Sequence, residues 1–131
     1  MTKGKNIKKI LSIFTLSVIM SIPIVAFASS YTSTLYFDST LTGATRYYNG
    51  NNITLSISAY TGYGQATGGN FSASLYRKNM ITSDYIGKAY YTRNGYSTNT
   101  WSNVGSGNYY FYFSKSIDGV EVYSNSVSMY N

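Results

Sequence analysis

The chain has no cysteine and no histidine, a single proline and only four carboxylates. Without cysteine there are no disulfide staples and no lipid attachment through an N-terminal thioether, so the fold rests on its core. Without histidine or cysteine there is no Ser-His-Asp triad, no thiolate nucleophile and no zinc site of the usual ligands. The one proline is Pro23, and charges are few after it, so the strand edges of the rest of the chain have little to block edge-to-edge pairing.

The four acids are Asp38, Asp84, Asp118 and Glu121. A glycosidase needs two, about 5–9 Å apart across a cleft. Each of these has a structural use: Asp118 in a turn, Glu121 beside it with Lys115 or Ser116 as partner, Asp84 in a polar stretch, Asp38 at a strand end. No Asp-x-Asp cluster marks a calcium loop, although a single weak calcium site stays open. No glycine-rich loop precedes a helix, so there is no phosphate cradle. The expectation is a protein without catalysis, cofactor or resident metal.

The first residues carry Lys3, Lys5, Lys8 and Lys9 and no acid. An apolar run, Ile10 to Met20, follows, then Pro23, then Ala26-Phe27-Ala28. A basic head, an apolar middle and a small-x-small end is the layout of a helical secretory signal peptide. Residues 1–28 are read as that signal and residues 29–131 as one secreted domain, with Ser29 the mature N-terminus. A retained anchor is the competing reading, since 10–28 is near the length of a spanning helix. The interior Pro23 and the hydroxyls of Ser12, Thr15, Ser17 and Ser21 argue against it. Removing the signal removes four of the ten basic residues and leaves a balance of +2. No basic cluster larger than Arg77-Lys78 remains, which excludes a nucleic-acid footprint.

Alternation dominates the remainder. Ile53, Leu55, Ile57 and Ala59 oppose Thr54, Ser56, Ser58 and Tyr60; Phe71, Ala73 and Leu75 oppose Ser72, Ser74 and Tyr76; Tyr109, Phe111 and Phe113 oppose Tyr110, Tyr112 and Ser114. Each run predicts a strand with one face in a core and one in water. Strands are expected over 31–38, 43–48, 52–60, 70–78, 84–92, 97–104, 107–115 and 119–130, with Asn49-Gly50, Asn94-Gly95 and Asp118-Gly119 as tight hairpin turns. Gly62 to Gly69 reads as a long hairpin loop. In the last strand Val120 and Val122 share one parity while Val127 and Met129 share the other, so a bulge near Ser124-Asn125 is required to bury both pairs. The fold class is all-β, an antiparallel sandwich of seven or eight strands. Its expected core is Leu35, Phe37, Ile53, Leu55, Ile57, Phe71, Leu75, Trp101, Tyr109, Phe111, Phe113, Val120 and Val122.

The run Gly105-Ser106-Gly107-Asn108-Tyr109-Tyr110-Phe111 resembles the corner and penultimate strand of immunoglobulin-like and fibronectin type III-like sandwiches, which read Asp-x-Gly-x-Tyr-x-Cys. Gly107, Tyr109 and Phe111 take the Gly, Tyr and core places; Gly105 departs from the Asp, and Trp101 is not at the usual tryptophan position. The resemblance implies a sandwich and no activity. The chain as a whole is similar to small secreted proteins of Gram-positive bacteria, which implies export.

All sixteen tyrosines lie after the signal, more than a domain of this size can bury. Tyr60, Tyr76, Tyr110 and Tyr112 fall opposite core positions and are the candidate binding surface, with Tyr76 and Tyr112 at its centre and Tyr60 and Tyr110 on the same outward faces. A tyrosine face is rigid, partly apolar and carries hydroxyls, which suits carbohydrate, cell wall or a protein partner. The bland account is that these rings only support cross-strand pairing. Three function classes follow: a secreted binding domain, a self-assembling matrix protein joined through strand edges, or an antibacterial toxin. For the last, +2 is a weak charge for membrane attack, and no stable membrane insertion is expected after processing.

Overall fold

The computed structural model describes residues 28–131. The expected signal peptide, apart from Ala28, lies outside the described residues. Ten strands form, and no helix is present among the described residues. They are β1 (Ser30–Ser33), β2 (Tyr36–Phe37), β3 (Thr40–Thr42), β4 (Arg46–Tyr48), β5 (Ile53–Thr61), β6 (Asn70–Lys78), β7 (Ser83–Thr92), β8 (Gly95–Trp101), β9 (Gly107–Ser114) and β10 (Val122–Tyr130).

They make two five-stranded sheets. In the first, β1 and β2 pair in turn with β10, followed by β5 and β8; in the second, β3 and β4 pair with β9, followed by β6 and β7. All pairings are antiparallel. Counting β1 with β2, and β3 with β4, as broken edge strands gives the eight strands expected from the sequence. The first strand then lies beside the last, and the second beside the penultimate. This winding is that of a jelly roll. It differs from the immunoglobulin order, in which the first strand neighbours the second. The resemblance therefore holds at the corner and fails in the topology.

The winding also corrects the turns. Asn49-Gly50, Asn94-Gly95 and Asp118-Gly119 each carry the chain from one sheet to the other, and so does the loop from Gly62 to Gly69. Gly95 (φ 116°) and Gly119 (φ 77°) sit in the conformation that favours glycine, but at crossings rather than at hairpins. The dipeptide rule identifies a reversal, with positive φ at Gly95 and Gly119 but not at Gly50; it cannot say whether the next strand pairs with the last or covers it. The one long-strand hairpin joins β6 to β7, closed by Asn79 N donating to the Thr82 carbonyl at 2.9 Å.

The thirteen expected core residues are all buried. The bulge lies between Ser124 and Ser126, and Val122, Val127 and Met129 all enter the core. Tyr48 and Tyr91 also enter it, each 1% exposed, whereas Tyr47 and Tyr90 of the same doublets point out. Burial is permitted because Tyr91 Oη donates to the Leu55 carbonyl at 2.8 Å and the Tyr48 ring packs edge-on against Tyr31 and Tyr109. Burial pushes both phenols well above the ordinary tyrosine range.

At the corner, Tyr109 Oη donates to the carbonyls of Val104 at 2.5 Å and Gly105 at 2.8 Å. Arg77 covers the same corner, its guanidinium carbon 5.6 Å from the Tyr109 ring centre and its Nη2 2.9 Å from the Ser106 carbonyl.

Candidate functional site

The predicted tyrosines do not make one surface. Tyr76 on β6 and Tyr110 and Tyr112 on β9 share the outer face of the second sheet. Tyr60 on β5 lies on the outer face of the first sheet, on the opposite side of the molecule. The reason is the crossing at Gly62 to Gly69. Alternation assigns each tyrosine to the outside of its own sheet, and that loop moves the chain to the other sheet.

On the second sheet the register aligns three rows. Tyr110, Tyr76 and Tyr85 form one, since Tyr76 pairs with both neighbours. Thr42, Tyr112, Ser74 and Lys88 form the next, and Ser114, Ser72 and Tyr90 the third. The Tyr76 and Tyr110 rings stack with centres 5.3 Å apart and planes at 7°, and Tyr85 meets Tyr76 edge-on at 5.6 Å. Thr42, Tyr76, Tyr110 and Tyr112 enclose a shallow depression of about 230 Å³. Ser74 is only 3% exposed although it points away from the core, because its larger neighbours cover it. The face carries Lys88 and no acid in these rows.

Stacking decides what this face presents. Two parallel rings in contact hide a face of each, so the surface offers ring edges and hydroxyls rather than an open aromatic platform. Such a ridge binds a ligand that brings both hydrogen-bonding groups and apolar edges.

A second row crosses the first sheet, where Tyr123 pairs with Tyr36 on one side and Tyr60 on the other. The ring centres are 4.8 Å and 5.3 Å apart. Tyr123 Oη donates to Glu121 Oε2 at 2.6 Å, and this bond to the carboxylate, more than desolvation, pushes the phenol up to about 12. Glu121 is thus held by Tyr123 and not by Lys115 or Ser116 as the sequence led us to expect.

The carboxylate that meets Lys115 is Asp118. Its Oδ1 lies 2.8 Å from Lys115 Nζ and its Oδ2 2.6 Å from Arg93 Nη1. Lys115 Nζ also donates to the carbonyls of Asp38 and Ser116, and Arg93 Nε to that of Asn70. These bonds hold the Asp118 carboxyl well below the usual carboxylate range, Lys115 first and Arg93 second. The cluster ties the crossings at one end of the sandwich. Both cations are spent on internal partners, so it has no group free for acid–base chemistry. Sequence reasoning missed it because Arg93 and Lys115 stand far apart in the chain, each looking like an ordinary exposed cation. Asp84 is held in turn by Asn79 Nδ2 at 2.8 Å. Among the described residues no group of His, Cys, Asp and Glu is placed to hold a metal ion.

No family model matches the chain, and no curated protein matches it. Among solved structures it is similar to the Yersinia pseudotuberculosis-derived mitogen, at 12% identity and a TM-score of 0.41, covering 80% of this chain and 86% of that one. It is also similar to a structure of Bacillus endospore appendages, described as a family of disulfide-linked pili, at 9% identity and a TM-score of 0.37, covering 84% and 94%. Similarities this low carry no argument about function.

Proposed function

We propose that this is a secreted, non-enzymatic binding domain that works through the tyrosine ridge of its second sheet. The observation that carries the reading is the set of Tyr76, Tyr110 and Tyr112 around one depression with Thr42. Tyr85 and Tyr90 stand exposed beside it on β7. Tyrosine loses little freedom when fixed in an interface, and a ridge of edges and hydroxyls suits a carbohydrate, a cell-wall polymer or a protein strand. Export is supported by the basic, apolar and small-residue order of residues 1–28.

The test is retention of the purified protein on intact cell walls, chitin, cellulose and whole cells. Tyr76→Ala and Tyr112→Ala should each weaken retention by more than about 1 kcal/mol. Tyr60→Ala, on the opposite face, should not. Equal retention of all three variants would refute the ridge.

A second reading, assembly through strand edges, is favoured by β8. Of the four sheet edges, β1 with β2 and β3 with β4 are broken, and β7 carries Lys88, Asp84 and a register shift opposite Leu75 and Tyr76. Those are defences against edge pairing. Strand β8, Gly95–Trp101, is unbroken, uncharged and paired on one side only. On this reading Thr98→Lys would keep the protein monomeric in sedimentation, while the tyrosine variants would still associate.

A further inference from the structure

Both broken edges lie on the same side of the sandwich, and between them the core is open. The gap in the first sheet falls at Thr34-Leu35, opposite the β10 bulge, and the gap in the second at Gly43 to Thr45. A slot of about 220 Å³ enters there. Its walls include Leu35 and Leu41 from the edges and Phe111, Phe113, Val127 and Met129 from the two sheets. Arg46 also lines it.

Two features point to a ligand. The first is the apolar lining. Ser33, Thr34 and Thr42 add hydroxyls to a lining that is otherwise mainly apolar, and an empty slot leaves its apolar wall atoms without contacts on one side. The second is Arg46. Both ion pairs among the described residues belong to Asp118, so Arg46 has no carboxylate partner among them. Its guanidinium carbon rests 5.0 Å from the centre of the Tyr31 ring, half-buried and without an anion. An apolar slot with an unpaired guanidinium on its wall is complementary to a chain with an anionic head.

We propose that this slot binds a medium-chain carboxylate, with the alkyl chain between the sheets and the carboxylate on Arg46. Size sets the length. In proportion to the apolar cavity of about 150 Å³ that holds benzene, the slot takes an alkyl chain of about eight carbons. The inference is independent of the tyrosine ridge, which lies on an outer sheet face.

The experiment is calorimetric titration of the purified protein with straight-chain carboxylates of increasing length. Binding should be saturable and tightest near about eight carbons, falling off for longer chains. Octyltrimethylammonium, with the same chain and opposite charge, should bind at least about tenfold more weakly. Arg46→Gln should weaken octanoate about tenfold and leave octanol unchanged. Leu41→Trp, which fills the slot, should abolish binding of both. If that variant loses its β-sheet circular dichroism, Ala44→Trp replaces it, since Ala44 lines the mouth and is exposed. Sedimentation with phosphatidylglycerol vesicles separates a free carboxylate from a membrane surface. Vesicle binding that survives the plugged variant and is lost in Arg46→Gln would overturn the proposal in favour of surface attraction. Absence of saturable octanoate binding, or binding indifferent to both substitutions, would overturn it outright.

Discussion

Phe111→Ala probes the register of the central strand of the second sheet. Phe111 is 3% exposed, and its ring centre lies 5.6 Å from Trp101 and 6.3 Å from Phe113. Withdrawing a side chain of this size from the core costs about 1.5–3 kcal/mol in transfer alone. The void left behind brings such truncations to about 3–5 kcal/mol. The upper half of that range applies here. Phe111 pairs with Leu75 of β6 on one side and its carbonyl accepts from Gly43 N at 2.8 Å on the other, so the backbone is held and cannot close over the hole. The hole would also merge with the slot that Phe111 already lines. In a domain with about 5–15 kcal/mol of stability, that is a large fraction. At about 4–8 °C per kcal/mol, the melting temperature should fall by tens of degrees. The control is Tyr112→Ala, one residue on and half-exposed on the outer face, which should cost less than about 1 kcal/mol. Urea unfolding followed by circular dichroism measures both. A loss below about 1 kcal/mol for Phe111→Ala, or equal losses for the pair, would place Phe111 outside the core and refute the register.

Tyr109→Phe removes the donor that serves two corner carbonyls and should cost about 1–3 kcal/mol in the same assay, with binding by the ridge unchanged. Asp118 binds its proton more weakly in the fold than in the unfolded chain, so stability should be flat above the ordinary carboxylate range and fall as pH drops below about 4; Asp118→Asn should flatten that slope in acid melts. Tyr123 is shifted the other way, to about 12, so its contribution is complete below about pH 10 and declines above it, and in a spectrophotometric titration Glu121→Gln should bring one tyrosine back toward the ordinary range. Intact mass of the protein from culture medium should correspond to a chain starting at Ser29; residues 1–28 still attached would overturn the secreted reading.

Alternation and the turn residues together placed eight strands and thirteen core residues, because a side-chain period of two sets which residues share a face and the turns set where each strand stops. Alternation located the β10 bulge for the same reason: two apolar pairs of opposite parity need one extra residue between them. The corner was legible because Tyr109 serves carbonyls four and five residues upstream. What lay beyond the sequence was which strand lies beside which. A crossing and a hairpin use the same turn residues, so the Asn-Gly and Asp-Gly signals could not separate a jelly roll from an immunoglobulin winding. That one ambiguity sent Tyr60 to the far side of the molecule from Tyr76, Tyr110 and Tyr112. The Arg93–Asp118–Lys115 cluster and the slot beside Arg46 were invisible for a related reason. Each is assembled from segments distant in the chain, and only the packing of the sheets decides that they meet.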